Sequence, residues 1–463
     1  MVKAVSAPGK ALLAGGYLVI DPQYSAYVTA LSSRMHAVAK VGQLQESSSV
    51  NVKSPQFKQG EWDYSIESNK WVGGIVEKHG RVNPFIEATL ATVFSYFEPQ
   101  ETFNIDITIY SDPGYHTQDN TLERQSSNGK VKFLYHEQSI DQVAKTGMGS
   151  SAGLVVVLTA SLVSFFIDDA VNRENLIHNL AQIAHCHAQQ KVGSGFDVAA
   201  AVFGSITYRR FDPAIIEPLM KHAIYDDNQN FDYQSSYCNE IQKIASSNWK
   251  FDRRSNSLPP FFKLLIGDVS GGSNTPKLVS KVLKWKQDNP QKSSELFASL
   301  NKANQEFIES IEHLNIEAKA SLAYAKALKE FSKVDLVTLK HHENMIPDEF
   351  KQFLSPVRKL IMAIVKIREN LQLLTKLSGA EIEPPSQTEL LDHCLTIKGC
   401  FGGVVPGAGG YDAIAVLVNQ LCLDEFLKTT NEDPRFDSIT WLSLNEQADG
   451  LIAENPENYI GLD

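Results

Sequence analysis

The sequence KTGMGSSAGLVVVLTASLVSFFI occupies residues 145–167. Its second part, residues 153–167, is apolar almost all round, which is typical of a helix buried on every side. Its first part is rich in glycine, and glycine lets the backbone approach an anion closely. Because the first amides of a helix are unsatisfied and lie at the positive end of the helix dipole, the stretch predicts a phosphate-binding loop at a buried helix N-terminus. A tight turn that needs small residues is the structural alternative.

The same residues also satisfy the dinucleotide-binding pattern G-x-G-x-x-A, with Asp168 near the place of a ribose-binding acid. That pattern normally follows a continuous apolar strand, whereas residues 139–145 are polar. Asp168 also directly ends a predicted helix instead of a second strand. A nicotinamide-dependent oxidoreductase is therefore disfavoured. The G-x-x-x-x-G-K-[ST] phosphate loop is absent from this segment, which disfavours an ordinary P-loop kinase as well.

A lysine and an aspartate are further candidates for chemistry. Lys10 directly follows the turn-forming Ala7-Pro8-Gly9, although a lone lysine there is usually a solvated surface charge. Asp197 lies between Gly193-Ser194-Gly195-Phe196 and the apolar run 198–203. An isolated buried carboxylate is costly, so we expect a partner for Asp197 and favour Lys10. The alternative is a turn aspartate that accepts hydrogen bonds from local amides.

A third glycine-rich segment, GGVVPGAGG at residues 402–410, is too long for a simple hairpin turn. We expect it to belong to the other half of the chain and to close over a bound nucleotide. Glycine-rich loops are also often mere flexible connections.

Length and composition predict two domains. A chain of 463 residues exceeds what one core usually supports. The polar segment 226–260 ends with Pro259-Pro260 and is taken as the linker between an N-terminal domain, 1–225, and a C-terminal domain, 261–463. The polar stretches 43–69 and 111–141 are expected in surface hairpins or loops. Periodic apolar positions predict helices at 173–190, 276–285, 295–330 and 357–377 and after Pro385.

Charge and cysteine content exclude some partners. The net charge of −11 argues against nucleic acid or a membrane surface as the main partner. Five scattered cysteines without a C-x-x-C pair suggest neither a disulfide framework nor a zinc site, which fits a reducing cytosol. No signal peptide or spanning segment is recognised. We therefore expect a soluble, cytoplasmic protein.

Three motifs in a fixed order carry a resemblance: APGK at 7–10, GMGSSAG at 147–153 and PGAGGYD at 406–412. Together they resemble the superfamily of galactokinase, homoserine kinase, mevalonate kinase and phosphomevalonate kinase, abbreviated GHMP. Further stretches are similar to phosphomevalonate kinases of the fungal, plant and bacterial type: AGGYLVI at 14–20, KVGSGFDVAAAVFGS at 191–205, SLPPFFKLLIGDVSGGSNTPKLV at 257–279 and IEPPSQTELLD at 382–392.

The resemblance implies an α+β, two-domain GHMP kinase fold, with an N-terminal domain like ribosomal protein S5 domain 2 and a ferredoxin-like C-terminal domain. It implies transfer of the γ-phosphoryl group of ATP to (R)-5-phosphomevalonate in the mevalonate pathway of isoprenoid and sterol biosynthesis. The alternatives are a mevalonate kinase and a non-catalytic ATP-binding sensor on the same scaffold. We expect a monomer or a homodimer.

The resemblance also assigns residues. Lys10 and Asp197 match the catalytic pair. The residues expected to bind ATP are Lys145, Gly147, Met148, Gly149, Ser150, Ser151, Ala152, Gly153, Gly407, Gly409 and Gly410. Those expected to bind the acceptor are Gly16, Tyr17, Lys191, Ser194, Gly195, Ser273, Thr275 and Lys277.

One departure concerns the metal. Superfamily members often carry a glutamate as Mg²⁺ ligand before the catalytic aspartate, whereas this chain reads His187-Ala188-Gln189-Gln190. Ser150, the ATP phosphates and water are therefore the expected ligands of Mg²⁺, with Gln189 nearby.

Overall fold

The protein is described here by a computed structural model that covers residues 2–42, 47–118, 120–222, 224, 231–269, 275–320, 323–335, 339, 346–442 and 444–462. The described residues form two large sheets, each with its own helical layer, and a separate two-stranded sheet. In these ranges no helix has the length and apolar character needed to cross a lipid bilayer.

A large mixed sheet organises the N-terminal half. Its strands are β1 (Val2–Ala14), β2 (Ala26–Val41), β3 (Ser48–Lys53), β4 (Glu61–Ile66), β5 (Ile75–Glu77), β6 (Asn104–Ser111), β9 (Ile206–Arg209), β10 (Asp252–Ser255), β15 (Glu446–Gln447) and β16 (Ile452–Glu454). The main path runs β10-β9-β2-β6-β3-β4-β5, and β1 pairs with β2. A separate hairpin is formed by β7 (Thr121–Gln125) and β8 (Lys132–His136).

The helices of this half are α1 (Pro84–Phe97), α2 (Ser150–Val163), α3 (Glu174–Gln189), α4 (Phe196–Phe203), α5 (Glu217–Met220) and α6 (Phe231–Ala245). Helix α2 is the central one, because it packs against α1, α3, α4, β1 and β2. Every residue from Val155 to Val163 is buried. The prediction of a helix buried on all sides is therefore confirmed up to Val163, whereas residues 164–167 lie beyond the end of the helix.

Strand β1 is one continuous strand, although Pro8 and Gly9 lie within it. Its pairing partner on β2 moves from Arg34 at Pro8 to Leu31 at Gly9, so the register shifts between these two residues. Such a bulge bends a strand and re-aims the side chains that follow it. The next residue is Lys10, whose amide donates to the carbonyl of Met148 at 3.1 Å.

The C-terminal half has an antiparallel sheet with the order β12-β13-β11-β14. Its strands are β11 (Phe262–Asp268), β12 (Cys400–Val404), β13 (Ala413–Asn419) and β14 (Thr440–Leu442). Its helices are α7 (Thr275–Asp288), α8 (Pro290–Ala320), α9 (Ala323–Phe331), α10 (Lys351–Ser378), α11 (Pro385–Leu395) and α12 (Leu423–Glu432). The succession strand, helices, strand, strand, helix, strand is that of a ferredoxin-like unit. The expected fold class is confirmed.

The expected domain limits need correction. The described parts of the supposed linker 226–260 include α6, which packs on α1, and β10, which pairs with β9. The chain end also returns to the first half, where β16 pairs with β1 and β15 with β2. The physical reason is that β16 covers the open edge of β1, which would otherwise expose unpaired backbone groups. Strands of two or three residues are too short to leave a recognisable pattern.

The polar stretch 43–69 also differs from a simple surface loop. Strands β3 and β4 do form a hairpin, but β3 runs parallel to β6 inside the main sheet. Val50, Val52 and Tyr64 are buried there. Residues 43–46 lie outside the described residues. The stretch 111–141 matches its prediction better, since it contains the β7–β8 hairpin.

Candidate active site

Lys10, Gly149 and Asp197 surround one point at the N-terminus of α2. Gly149 precedes the helix with φ +81°, a left-handed conformation that glycine adopts without steric cost. A β carbon added to Gly149 would lie 3.1 Å from Cε of Lys10 and 3.8 Å from Cβ of Asp197. Three residues from distant parts of the sequence therefore meet where the phosphate-binding loop was predicted.

The N-terminus of α2 has no side chain that caps it among the described residues. Ser150 and Ser151, in its first turn, are half-buried, and Met148 is buried beneath the loop. Gly153 allows close packing, because a β carbon there would lie 3.2 Å from the hydroxyl of Tyr115. The loop thus offers backbone amides and the positive end of a helix dipole to an anion.

Lys10 is half-buried, and its ammonium donates a hydrogen bond to the carbonyl of Gly147 at 2.7 Å. Burial lowers the pKa of Lys10 from its usual value, while the carboxylates of Asp197 and Asp412 oppose that shift. The ammonium also lies 5.6 Å from the ring centroid of Phe196. The result is a positive charge held over the glycine-rich loop.

Asp197 lies in the first turn of α4, after Gly195 with φ +80°. Within the described structure it forms no direct ion pair with Lys10, contrary to the pairing we favoured. Its carboxylate accepts a hydrogen bond from the amide of Val198 at 3.0 Å. This hydrogen bond is the one that the alternative, a turn aspartate bonded to local amides, predicts. The ammonium of Lys10 binds the carbonyl of Gly147 and not the carboxylate of Asp197. Asp197 therefore acts on Lys10 through the electrostatic effect of its negative charge, without a direct ion pair.

The loop before Asp197 is held by two side chains that the sequence did not reveal. Arg210 is buried and donates to the carbonyl of Ile20 at 2.5 Å and to that of Gly193 at 2.6 Å. The hydroxyl of Tyr208 donates to the carbonyl of Ser194 at 3.0 Å. Arg210 therefore ties the end of the segment 14–20 to the loop that carries the aspartate.

The third glycine-rich loop contacts residues 12–17, at and just after the end of β1. The hydroxyl of Tyr17 donates to the carbonyl of Ala408 at 2.6 Å, and the amide of Gly407 is 3.5 Å from the carbonyl of Leu12. A β carbon on Gly16 would lie 3.2 Å from the carbonyl of Gly407. Tyr17 itself has φ 62°, a conformation that costs free energy for a bulky residue and is often found at functional sites.

A histidine, also not predicted, lies beneath the loop. Nε2 of His185 is 3.1 Å from Oγ of Ser151 and 3.2 Å from Nε2 of Gln189. Burial lowers the pKa of His185, although Asp197 opposes this, so the ring is neutral at pH 7. His185 lies one helical turn before Gln189. This spacing is the only feature of the sequence that points to His185.

Asp412 is a further residue that the sequence reasoning left without a role. It belongs to the quoted motif PGAGGYD and directly precedes β13, and its carbonyl accepts from the amide of Val269 at 3.0 Å. Its negative charge helps to keep Lys10 protonated. A carboxylate from the C-terminal half thus acts on a lysine of the N-terminal half.

The donor set for a metal is sparse. In the described ranges no group of three or more His, Cys, Asp and Glu side chains could hold a metal ion. Ser150 offers a half-buried hydroxyl in the first turn of α2. A site with so few protein ligands fits Mg²⁺, because this ion keeps several waters and is commonly bound through substrate phosphates.

Four other predicted residues have exposed side chains. Lys145 is exposed, with a backbone bridge to His116, and Lys191 is exposed in the loop between α3 and α4. Thr275 and Lys277 are exposed in the first turn of α7. Ser273 lies outside the described residues. Where the chain is described, no side-chain hydrogen bond or ion pair joins Lys145, Lys191 or Thr275 to Lys10.

Sequence comparison gives two kinds of match. Residues 121–205 match the family "GHMP kinases N terminal domain". The chain is 47% identical to a phosphomevalonate kinase of Candida albicans over 466 residues, which is 100% of both chains. It is 32% identical to a phosphomevalonate kinase of Aspergillus fumigatus, over 99% of this chain and 98% of the relative.

Structural comparison agrees on the fold. The phosphomevalonate kinase of Streptococcus pneumoniae, solved in complex with phosphomevalonate and AMPPNP, superposes with a TM-score of 0.59 at 16% identity. The match covers 96% of this chain and 99% of that chain. Given the full-length identity to the fungal relatives and the shared fold, this chain belongs to the phosphomevalonate kinase family of GHMP kinases.

Proposed function

We propose that the chain transfers the γ-phosphoryl group of ATP to (R)-5-phosphomevalonate, giving (R)-5-diphosphomevalonate and ADP. The observation that carries the proposal is the meeting of Lys10, Gly149 and Asp197 at the uncapped N-terminus of α2. Family membership supplies the substrate class, because the fungal relatives are phosphomevalonate kinases over the full chain length. The reaction belongs to the mevalonate pathway of isoprenoid and sterol biosynthesis.

The nucleotide's phosphates are proposed to bind the amides of residues 147–153. Gly147 and Gly149 both have positive φ values, +76° and +81°, so their backbone can turn towards an anion. The loop 407–410 contacts Gly16 and Tyr17 from the other half of the molecule. We propose that this loop covers the site from the C-terminal side.

The acceptor needs little activation. A phosphate monoester has a second pKa of about 6 and is mostly a dianion at neutral pH. One of its oxygens forms a bond to the γ-phosphorus of ATP, while the bond from that phosphorus to the β,γ-bridging oxygen breaks and ADP leaves. No strong general base is required, unlike in the phosphorylation of a hydroxyl.

Lys10 is then the main catalytic group. Its ammonium stabilises negative charge on the transferring phosphoryl group and on the attacking oxygen. Asp197 and Asp412 keep that ammonium charged despite its burial. Mg²⁺, when bound, neutralises charge on the phosphate oxygens, and Ser150 is the residue that would hold it. The cytoplasmic location and the monomeric or homodimeric state stay predictions from the sequence.

The test is ATP consumption with mevalonate, 5-phosphomevalonate and 5-diphosphomevalonate offered separately, with Lys10→Met as the inactive control. We expect turnover with 5-phosphomevalonate alone. Turnover of mevalonate alone would assign the mevalonate kinase reaction instead. ATP binding without turnover of any acceptor would indicate a sensor.

A further inference from the structure

A buried ion pair lies in the C-terminal half, away from the predicted catalytic residues. Arg368 on α10 and Glu383 before α11 have side chains that are only 6% and 0% exposed. Nε and Nη2 of Arg368 donate to Oε1 of Glu383 at 3.0 and 2.7 Å. Gln372 and Thr388 donate to the same oxygen at 2.8 and 3.2 Å. A single carboxylate oxygen therefore gathers four hydrogen bonds.

Such an arrangement is a poor way to stabilise a fold. Removing two charges from water is costly, and a buried ion pair is often no more stable than apolar residues of similar volume. The second oxygen of Glu383, Oε2, is buried without a hydrogen-bond partner in the part of the chain that the structure describes. A buried pair with an unsatisfied atom calls for an explanation other than stability.

The pair fixes the backbone next to it. The amide of Glu383 donates to Oγ1 of Thr375 on α10 at 3.2 Å, so this residue is tied to α10 by backbone and side chain. The preceding carbonyl, that of Ile382, accepts from the amide of Gly410 at 2.9 Å. A β carbon on Gly409 would collide with the same oxygen. The position of Ile382 therefore determines where the third glycine-rich loop can lie.

The opposite side of that loop faces the first half of the molecule. Tyr17 donates to the carbonyl of Ala408 at 2.6 Å, and a β carbon on Gly16 would lie 3.2 Å from the carbonyl of Gly407. The loop is thus held between Ile382 and Tyr17. Tyr17 lies three residues after the end of β1, and β1 carries Lys10.

We propose that Arg368 and Glu383 are positioning residues for phosphoryl transfer. They hold Ile382, and through it the loop 407–410, against Tyr17 at the edge of the site. The inference rests on the proposed function, because the loop's position matters only if the site between the two halves carries out the reaction. It predicts an effect on catalysis from an ion pair that touches no substrate.

The main test compares two substitutions beside the same arginine. Glu383→Gln removes the buried charge with almost no change in volume. Asp392→Asn is the matched control, since Asp392 also accepts from Arg368, at 2.8 Å, but is 58% exposed. We expect kcat/KM for 5-phosphomevalonate to fall about tenfold or more in Glu383→Gln and less than about twofold in Asp392→Asn. Full activity in Glu383→Gln, or equal losses in the two variants, would overturn the proposal.

A double variant separates positioning from stability. Arg368→Met with Glu383→Leu replaces the pair by apolar side chains and is expected to keep Tm near that of the wild type. At temperatures where this variant is fully folded, its kcat/KM should stay about tenfold below that of the wild type. Recovery of activity together with Tm would show that the pair is merely structural. This variant carries the test if a single variant fails to fold.

A readout independent of turnover keeps the two proposals distinguishable. Hydrogen exchange at the Gly410 amide reports its bond to Ile382 directly. We expect faster exchange there in Glu383→Gln than in Asp392→Asn and the wild type. Unchanged exchange would contradict the positioning role. If the wild type does not turn over 5-phosphomevalonate but the exchange difference is found, the proposed function fails and the loop anchoring stands.

Discussion

The ammonium of Lys10 donates a hydrogen bond to the carbonyl of Gly147 at 2.7 Å, although the two residues are 137 positions apart in the sequence. This contact places a cation from β1 over the glycine-rich loop at the start of α2. It depends on the register shift between Pro8 and Gly9, which re-aims the strand just before Lys10. The catalytic role proposed for Lys10 starts from this geometry.

Substitution of the two proposed catalytic residues should have unequal effects. Lys10→Met removes the cation that neutralises the transferring phosphoryl group, so kcat should fall about 10³-fold. Asp197→Asn leaves Lys10 in place and removes only a negative charge that favours its protonated form, so we expect kcat to fall about tenfold. Steady-state kinetics with saturating ATP checks both. Equal losses, with the Asp197→Asn loss rescued at higher pH, would instead make Asp197 a general base.

The two glycines of the phosphate loop should differ in their tolerance of alanine. Both have positive φ, but a β carbon at Gly149 would lie 3.1 Å from Lys10, whereas one at Gly147 would meet nothing within 4 Å. Gly147→Ala therefore serves as the control for backbone strain alone. We expect Gly149→Ala to weaken ATP binding and to lower kcat about tenfold more than Gly147→Ala. Similar values in the two variants would exclude a close approach at Gly149.

The activity should fall at alkaline pH. In the proposed mechanism Lys10 must be protonated to act, and burial lowers its pKa from the usual value of 10.5. The contribution of Lys10 is then present at neutral pH and is lost as the pH rises through this lowered pKa. Because Asp412 opposes the shift, Asp412→Asn should move the alkaline limb of kcat/KM to lower pH. An unmoved limb would show that Asp412 does not act on Lys10.

Stability should decrease on the acid side. Burial lowers the pKa of His178 and of His187 to about 4. The unfolded chain then binds more protons than the folded one between the ordinary histidine pKa, about 6.5, and these lower values. The free energy of unfolding should therefore fall as the pH drops below about 6.5, by up to about 1.4 kcal/mol per pH unit for each histidine.

Chemical denaturation at several pH values between 7 and 4 measures this dependence. His187→Gln keeps a hydrogen-bonding side chain opposite Tyr237, whose hydroxyl is 3.1 Å from Nε2 of His187. In this variant the unfolding free energy should depend less steeply on pH, because one fewer proton is taken up on unfolding. Parallel curves for variant and wild type would contradict the assignment.

Local composition was enough to predict the helix α2 and the residues that meet at its N-terminus. The glycine-rich loop and the buried helix could be predicted because glycine and apolar character occur in one continuous segment, and Lys10 and Asp197 were marked by flanking glycines. The place of β3 inside the main sheet was not predicted, although Val50 and Val52 alternate with polar residues, because the surrounding Ser and Gln residues suggested a surface hairpin or loop.

Long-range contacts were not predictable in this way. Arg210 holds the carbonyl of Ile20, which is 190 positions away, and no local pattern indicates such a pairing. Arg368 and Glu383 are buried charges, which a sequence pattern assigns to the surface. The prediction of a direct ion pair between Lys10 and Asp197 was wrong, again because no local pattern shows which groups meet in the folded chain. Backbone groups of Gly147 and Val198 compete for these side chains.

The most direct test of the central claim is a crystal structure of the chain with a non-hydrolysable ATP analogue and 5-phosphomevalonate. We predict that the polyphosphate lies on the amides at the start of α2, with the ammonium of Lys10 within hydrogen-bonding distance of the γ-phosphoryl group. A complex in which the nucleotide binds elsewhere, and Lys10 does not approach either substrate, would contradict the account.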